Sequence, residues 1–278
     1  MVMTSPARLN EVLERAHSYI IDMDGVIYRG DTCLPHVPEF LTALESRGVP
    51  YLMATNNSMR TPEQFARKLA GMGMNVAAER ILTSSVATRG VVQERFPRGT
   101  RVFVLGMESL NDAMFADGYF EPAGKDADVV VTGANFDLTF DDLKTACLAI
   151  RNDAPWIATN GDTTFPTEEG IIPGAGAIIA ALTAATGREP IVVGKPSTGM
   201  VDEAVQRLGT SPAETVMLGD RLDTDILAGQ RAGLLTLLVM TGVTTPGELD
   251  ASDISPDVVV QDLSPLVEYY TSSSRGDA

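Results

Sequence analysis

The chain has 278 residues, 44% of them hydrophobic and 21% charged, with a formal net charge of −16 at pH 7. This is the balance of a soluble globular protein large enough for two domains, and no apolar run reaches the ~18–20 residues that span a membrane. Acidity of this degree, with no Lys/Arg cluster to override it, argues against nucleic acid and membrane as partners. Met1 to Leu13 is broken by Pro6, Arg8, Asn10 and Glu11 and lacks the apolar core of a secretory signal, so the expected compartment is the cytoplasm. Cys33 and Cys147 form no C-x-x-C and are expected as thiols, and His17 and His36 have no partners at zinc spacing.

In chain order, the first candidate strand is Ser18–Ile21, followed by a loop and a helix near Pro38–Arg47. Pro50–Ala54 reads as the next strand and Thr61–Gly71 as a helix, with Thr61 as cap, Pro62 at the first position and Glu63 as first-turn acid. A middle segment has its own alternation: strands at Arg101–Leu105, Asp128–Thr132 and Trp156–Thr159, and helices at Glu108–Ala116, Asp141–Arg151 and Ala175–Ala185. Strands at Ile191–Val193, Thr215–Leu218, Leu235–Met240 and Asp257–Val260 follow, with helices at Met200–Leu208 and Asp225–Ala232 between them. Alternating strands and helices predict an α/β fold with a parallel sheet. The expected domains are a core of residues 1–83 and 187–270 with a second domain of residues 84–186 inserted, and a polar, disordered tail at 271–278.

Four of these strands run apolar and then deliver polar residues at the carboxyl end: Asp22-Met23-Asp24-Gly25, Thr55-Asn56-Asn57-Ser58, Gly194-Lys195-Pro196 and Gly219-Asp220-Arg221-Leu222-Asp223-Thr224-Asp225. The carboxyl edge of an open parallel sheet is where ligands bind, so these groups can share one crevice. Asp22, Asp24 and Asp220 held together there would repel one another without a cation among them. Oxygen donors, with no thiolate or imidazole on offer, point to Mg²⁺ rather than zinc. Thr55 brings a hydroxyl, Asn56 a backbone or amide N–H, and Lys195 a positive charge to phosphoryl oxygens, while one carboxylate can attack phosphorus and another move a proton. Each piece alone has a plain explanation: an acidic turn, a helix cap, a Gly-Lys-Pro turn. Their joint order after four apolar runs does not.

The four motifs, in that order, resemble those of the haloacid dehalogenase superfamily, and within it the branch of the NagD-like phosphatases and 4-nitrophenylphosphatases. The likeness runs from about Ser18 to about Leu249 and takes in Ala158-Thr159-Asn160 and Pro173-Gly174-Ala175-Gly176. It implies a Rossmann-like core with a large α/β cap of the C2 type inserted between the second and third motifs. It also implies Asp22 as nucleophile and Asp24 as the acid that protonates the leaving oxygen and later activates water. Thr55, Asn56, Asn57 and Gly25 would hold the phosphoryl group and Lys195 would balance its charge. Mg²⁺ would sit on the Asp22 carboxylate, the Asp24 main-chain carbonyl and the Asp220 carboxylate, with Asp225 in the outer shell and Asp223 ranked below it. An acid at position 24 favours phosphate esters over halides, which need no proton on leaving. In the cap, Phe165 could stack on a flat leaving group, and Asp162 or Thr164 could bond a polar one. The resemblance thus implies a phosphatase for a small-molecule phosphate ester, and allows a homodimer through the cap.

Three other readings compete: a nucleotide-binding module without hydrolysis, by either of two loop motifs, a phosphotransferase or mutase, and a degenerate family member used only for binding. The intact motifs argue against the last. A non-catalytic nucleotide-binding module would use Gly174-Ala175-Gly176, but the third glycine of G-x-G-x-x-G is replaced by Ile179. A Walker A loop fails at Glu189 and again at Pro196, which stands where Ser or Thr is needed. A phosphotransferase or mutase would share the aspartyl-phosphate step, although the stretch from Gly25 to Pro50 is too short for the helical cap of the sugar phosphomutases.

Overall fold

A computed structural model describes residues 3–167 and 169–272. The chain divides into two compact units. One takes in the chain up to Thr55, Glu63–Leu82 and everything from Ala204 on; the other is Asn56–Pro62 with Thr83–Glu203.

The first unit is built on a six-stranded sheet in the order Val258–Val260, Leu235–Val239, Thr215–Gly219, Ser18–Ile21, Tyr51–Thr55, Ile81–Thr83. The registers Ile21↔Leu218, Ile21↔Met53, Leu218↔Leu237 and Leu238↔Val259 are all parallel. The central strands are buried along their whole length, which is why they read as continuous apolar runs rather than as alternation. Helices cover them. Pro6–Arg15 starts on a Ser5 cap with proline in its first turn. Val37–Ser46 and Ser264–Ser272 bring Phe40 and Tyr270 to Tyr19, whose ring meets theirs edge-on at centroid distances of 5.5 and 6.2 Å.

The second unit carries a five-stranded parallel sheet in the order Ile191–Val192, Trp156–Ala158, Val129–Thr132, Arg101–Leu105, Glu121–Pro122. Its core gathers Leu105, Val130, Ala146, Ile150, Trp156, Ile178 and Leu182. The buried Trp156 indole donates to Thr132 Oγ1 at 3.0 Å. The helix Phe140–Arg151 opens with a reciprocal Thr139/Asp142 capping box. An antiparallel hairpin, Thr164–Thr167 with Gly170–Pro173, precedes the helix Ala175–Thr186.

Two expectations need correction. Ile191–Val192 does not join the sheet of Thr215–Gly219; it pairs in parallel with Ile157 and Ala158 as an edge strand of the second sheet, where Ile191 is half exposed. The apolar pair carries no information about which sheet it completes, and two residues suffice only for an edge. Thr271 and Ser272, expected in a disordered tail, close the helix Ser264–Ser272; residues 273–278 lie outside the described residues. Cys33 and Cys147 are free thiols. Among the described residues no helix is long and apolar enough to cross a membrane.

Candidate active site

In the first unit the chemistry gathers where three parallel strands end. Asp22 follows the Ser18–Ile21 strand, and its N–H donates to Leu218 O at 2.9 Å, which continues the ladder by one residue and sets it beside the end of Thr215–Gly219. Asp220 follows that strand, and Thr55 ends the strand on the other side. A π-type turn, Leu222–Ile226, then brings Asp225 back so that its Oδ2 accepts from the Arg221 N–H at 3.1 Å. As a result, carboxylate oxygens of Asp22, Asp220 and Asp225 lie within 4.8 Å of one another, the last two side chains being buried.

Three carboxylates at that spacing form a hard, oxygen-only donor set, which suits a divalent cation such as Mg²⁺. The backbone fixes the set tightly. Asp220 Oδ2 accepts from the Val243 N–H at 2.6 Å. A Cβ on Gly242 would stand 1.8 Å from Asp220 Oδ2, and one on Gly25, which has φ +85°, would stand 2.4 Å from it. A Cβ on Gly219 would fall 2.2 Å from the Asp225 Cβ. Gly25 is thus needed both for its left-handed backbone and for its approach to Asp220. Asp225, expected in an outer shell, brings a carboxylate oxygen to within 4.8 Å of the other two. Asp223 is instead exposed and paired with Arg221 at 3.1 Å.

Asp24 lies beside this group. Although its surface is exposed, partial desolvation holds its carboxyl above the ordinary value, while the charges of Lys68 and then Arg29 pull it back down. Both cations reach it through the short hairpin after the first motif: Tyr28 O accepts from the Gly25 N–H at 2.8 Å, and the Lys68 ammonium rests 3.9 Å from the centre of the Tyr28 ring. Arg29 Nη2 donates to Thr241 O, and Thr241 Oγ1 to Gly25 O at 2.7 Å. The sequence motifs give no sign of the 241–243 loop or of Lys68, because all lie outside the four runs. Arg29, five residues after Asp24, could have been raised by its nearness to the first acidic motif; Lys68, 44 residues on, carries no such signal.

The second unit holds the other candidates. Lys195 is buried, 2% exposed. Its N–H donates to Asn56 Oδ1 at 2.8 Å and its carbonyl accepts from Asn56 Nδ2 at 2.8 Å, so the asparagine side chain pairs with the lysine backbone as another peptide would. Asn56 Nδ2 also lies 3.3 Å from both Asp162 oxygens. The Asn56 carbonyl accepts from Asn160 Nδ2 at 2.8 Å and from Ser84 Oγ at 2.6 Å. The Asn56 amide is therefore occupied as a clasp, leaving its backbone N–H as the group that could face a phosphoryl oxygen. Asn57 Oδ1 is likewise engaged, accepting from the Met59 N–H at 2.9 Å to fold its own turn. Asp162 belongs to the clasp, and its N–H donates to Asn160 Oδ1 at 3.1 Å. Phe165 sits on the hairpin and meets the half-exposed Phe136 at 5.7 Å; Thr164 is exposed on the same strand. Gly174 and Gly176 bring their helix against the backbone of residues 161–163, where added Cβ atoms would come within 2.3 and 2.5 Å of carbonyl oxygens. That packing, not a dinucleotide, accounts for the glycine pair.

A family model described as haloacid dehalogenase-like hydrolase matches residues 19–120, and one described as HAD-hydrolase-like matches residues 192–266. The 5'-nucleotidase YutF of Bacillus subtilis is 40% identical over 90% of this chain and 97% of its own. The chain belongs to the haloacid dehalogenase-like hydrolase family. Within that family it falls in the NagD-like and 4-nitrophenylphosphatase branch of phosphatases: the solved structure of 4-nitrophenylphosphatase from Thermotoga maritima matches with a TM-score of 0.87 and 37% identity, covering 92% of this chain and 98% of that one. NagD from E. coli K-12 matches with a TM-score of 0.83 and 31% identity, over 90% and 97%. The fold of this chain is the family's parallel α/β core together with a second α/β unit.

Proposed function

We propose that this phosphatase hydrolyses small-molecule phosphate monoesters with Mg²⁺ through an aspartyl phosphate on Asp22. The observation that carries the reading is the convergence of Asp22, Asp220 and Asp225 within 4.8 Å at the carboxyl edge of a parallel sheet. Asp22, Asp220, Asp225 and the Asp24 carbonyl would hold the ion, whose charge offsets the carboxylates and polarises a phosphoryl oxygen.

An Asp22 oxygen attacks phosphorus in line while the bond from phosphorus to the ester oxygen breaks and Asp24 gives that oxygen its proton. Water then attacks the phosphorus of the acyl phosphate, Asp24 takes its proton back, and the bond to Asp22 breaks to release inorganic phosphate. The upward direction of the Asp24 carboxyl, set by partial loss of water at an otherwise exposed residue, is the direction the first half of that cycle needs. Thr55 and the Asn56 N–H orient the phosphoryl group, and Lys195, presented by the Asn56 clasp, balances its charge. Gly25 and Asn57 shape the turns that carry these groups, and Asp162, Thr164 and Phe165 are the cap residues offered to the leaving group.

The test is phosphate release from 4-nitrophenyl phosphate and a panel of esters including nucleoside 5'-monophosphates, with and without Mg²⁺, beside Asp22→Asn. Metal-dependent turnover that disappears in the variant is expected. Equal activity in Asp22→Asn would remove Asp22 as the nucleophile.

A further inference from the structure

Lys68 is the feature that the proposed reaction leaves unexplained. It sits on the helix Pro62–Gly71, and its side chain is 17% exposed. Its ammonium lies 3.9 Å from the Tyr28 ring centre, and the nearest carboxylate oxygen, from Asp31, is 3.6 Å away, beyond hydrogen-bond reach. Asp31 is itself 96% exposed, so that pair is weak. An ammonium carries three N–H donors, and at this partly exposed position they stay open to solvent or to a bound anion. Here the ring face fixes the charge in place without taking up a donor in a conventional hydrogen bond.

The position is specific. Tyr28 bridges back to Asp24 and accepts from the Gly25 N–H at 2.8 Å, so the ammonium stands across one short turn from the residue that protonates the ester oxygen. The leaving group departs on the Asp24 side, and Arg29, with Nη2 on Thr241 O, adds a second positive charge there. In a chain of net charge −16, two cations at this point run against the bulk field. Resting on the reading of Asp24 as acid, we propose that Lys68 is a specificity residue that recognises an anionic group on the leaving alcohol, so that preferred substrates are monoesters bearing a carboxylate or a second phosphate near the ester oxygen.

The experiment uses the full chain with Mg²⁺ and two matched ester pairs: the phosphate ester of glycolic acid against that of its amide, and ethane-1,2-diol bisphosphate against the monophosphate. The readout is the ratio of kcat/KM for the anionic member to that for the neutral one. In Lys68→Met, which keeps an unbranched stem over Tyr28, the ratio is expected to fall about tenfold or more, the scale of one charge-assisted hydrogen bond, mainly through KM. Lys68→Arg should recover most of it. The pair that responds identifies the anion as carboxylate or phosphate. An unchanged ratio in both pairs, or equal losses for both members, overturns the assignment, the second result marking Lys68 as structural. Absence of phosphate release from every ester by the wild-type protein would instead remove the phosphatase reading, and this inference with it.

Discussion

The side chain of Asn56 and the backbone of Lys195 exchange two hydrogen bonds, each 2.8 Å long. The pair closes a ring that no rotation of the lysine backbone can keep, and Gly194 seals it, since a Cβ there would stand 2.7 Å from Asn56 Oδ1. In Asn56→Ala the N–H and C=O of Lys195 lose the Asn56 side chain, a cost of about 1–3 kcal/mol for each hydrogen bond that is not replaced. Turnover of 4-nitrophenyl phosphate should fall roughly 10- to 100-fold, as expected when a charged group is displaced by about an ångström. Asn56→Asp should not rescue it, because it keeps the acceptor, loses the donor and faces Asp162. Steady-state kinetics with a melting curve will check this; wild-type turnover in Asn56→Ala would show that the clasp has no part in presenting Lys195.

Gly242 should be as sensitive as a ligand. A methyl there meets Asp220 Oδ2 at 1.8 Å and must push the carboxylate aside. Gly242→Ala is expected to raise the Mg²⁺ concentration for half-activation by about tenfold or more, the range seen when groups supporting a ligand are lost. Gly247→Ala, in a short helix with open space around the new methyl, should leave that concentration unchanged and gain a few tenths of a kcal/mol or more. A metal titration of activity distinguishes the two.

The phenol pair Tyr19–Tyr270, oxygen to oxygen at 2.8 Å, makes stability fall at alkaline pH. Burial raises Tyr19 well above its ordinary value and pushes Tyr270 up to about 12. The folded state therefore favours the neutral phenols. Their contribution is whole below pH ~10, where the unfolded tyrosines titrate, and is lost as pH rises toward about 12. For Tyr270 the loss is of the order of 3 kcal/mol. Urea midpoints measured at pH 8, 10 and 11.5 should decline, and Tyr270→Phe should flatten the decline while costing about 1 kcal/mol at pH 8.

Arg89 is a stability post of the second unit. Its guanidinium lies 4.8 and 4.6 Å from the Tyr119 and Phe120 ring centres and donates to Asp117 at 2.8 Å and Gln93 at 2.6 Å. Arg89→Lys keeps the charge but loses the fork and the stacking plane, so thermal unfolding should show a loss of about 1–2 kcal/mol. An unchanged melting temperature would mean that the rings pack equally well without it.

The strands that carry Asp22, Thr55 and Asp220 were legible because Tyr19–Ile21, Tyr51–Ala54 and Val216–Leu218 are unbroken apolar runs bounded by polar ones. The helix Ser84–Arg95 was not, since its buried face is Ser84, Ser85, Thr88 and Arg89 beside Ala87 and Val92. Apolar periodicity cannot show a face made of hydroxyls. The π-type turn that brings Asp225 to Asp22 and Asp220 was also hidden, because a helical reading of Asp225–Ala232 gives no reason for the chain to loop back. The Asn56 clasp joins residues 139 positions apart, and nothing in Thr-Asn-Asn-Ser distinguishes an amide that holds phosphate from one that holds backbone.

The central ladder of the first sheet pairs Ser18 with Thr215, 197 positions later. At a synthesis rate of about 5–20 residues per second, the first strand leaves the ribosome some 10–40 s before its partner exists. All five strands of the second sheet, from Arg101 to Val192, emerge in that interval. The nascent chain must therefore carry the apolar Tyr19–Ile21 and Tyr51–Ala54 segments without their full sheet while the inserted unit folds, and that waiting period is when chaperone demand and aggregation risk are greatest.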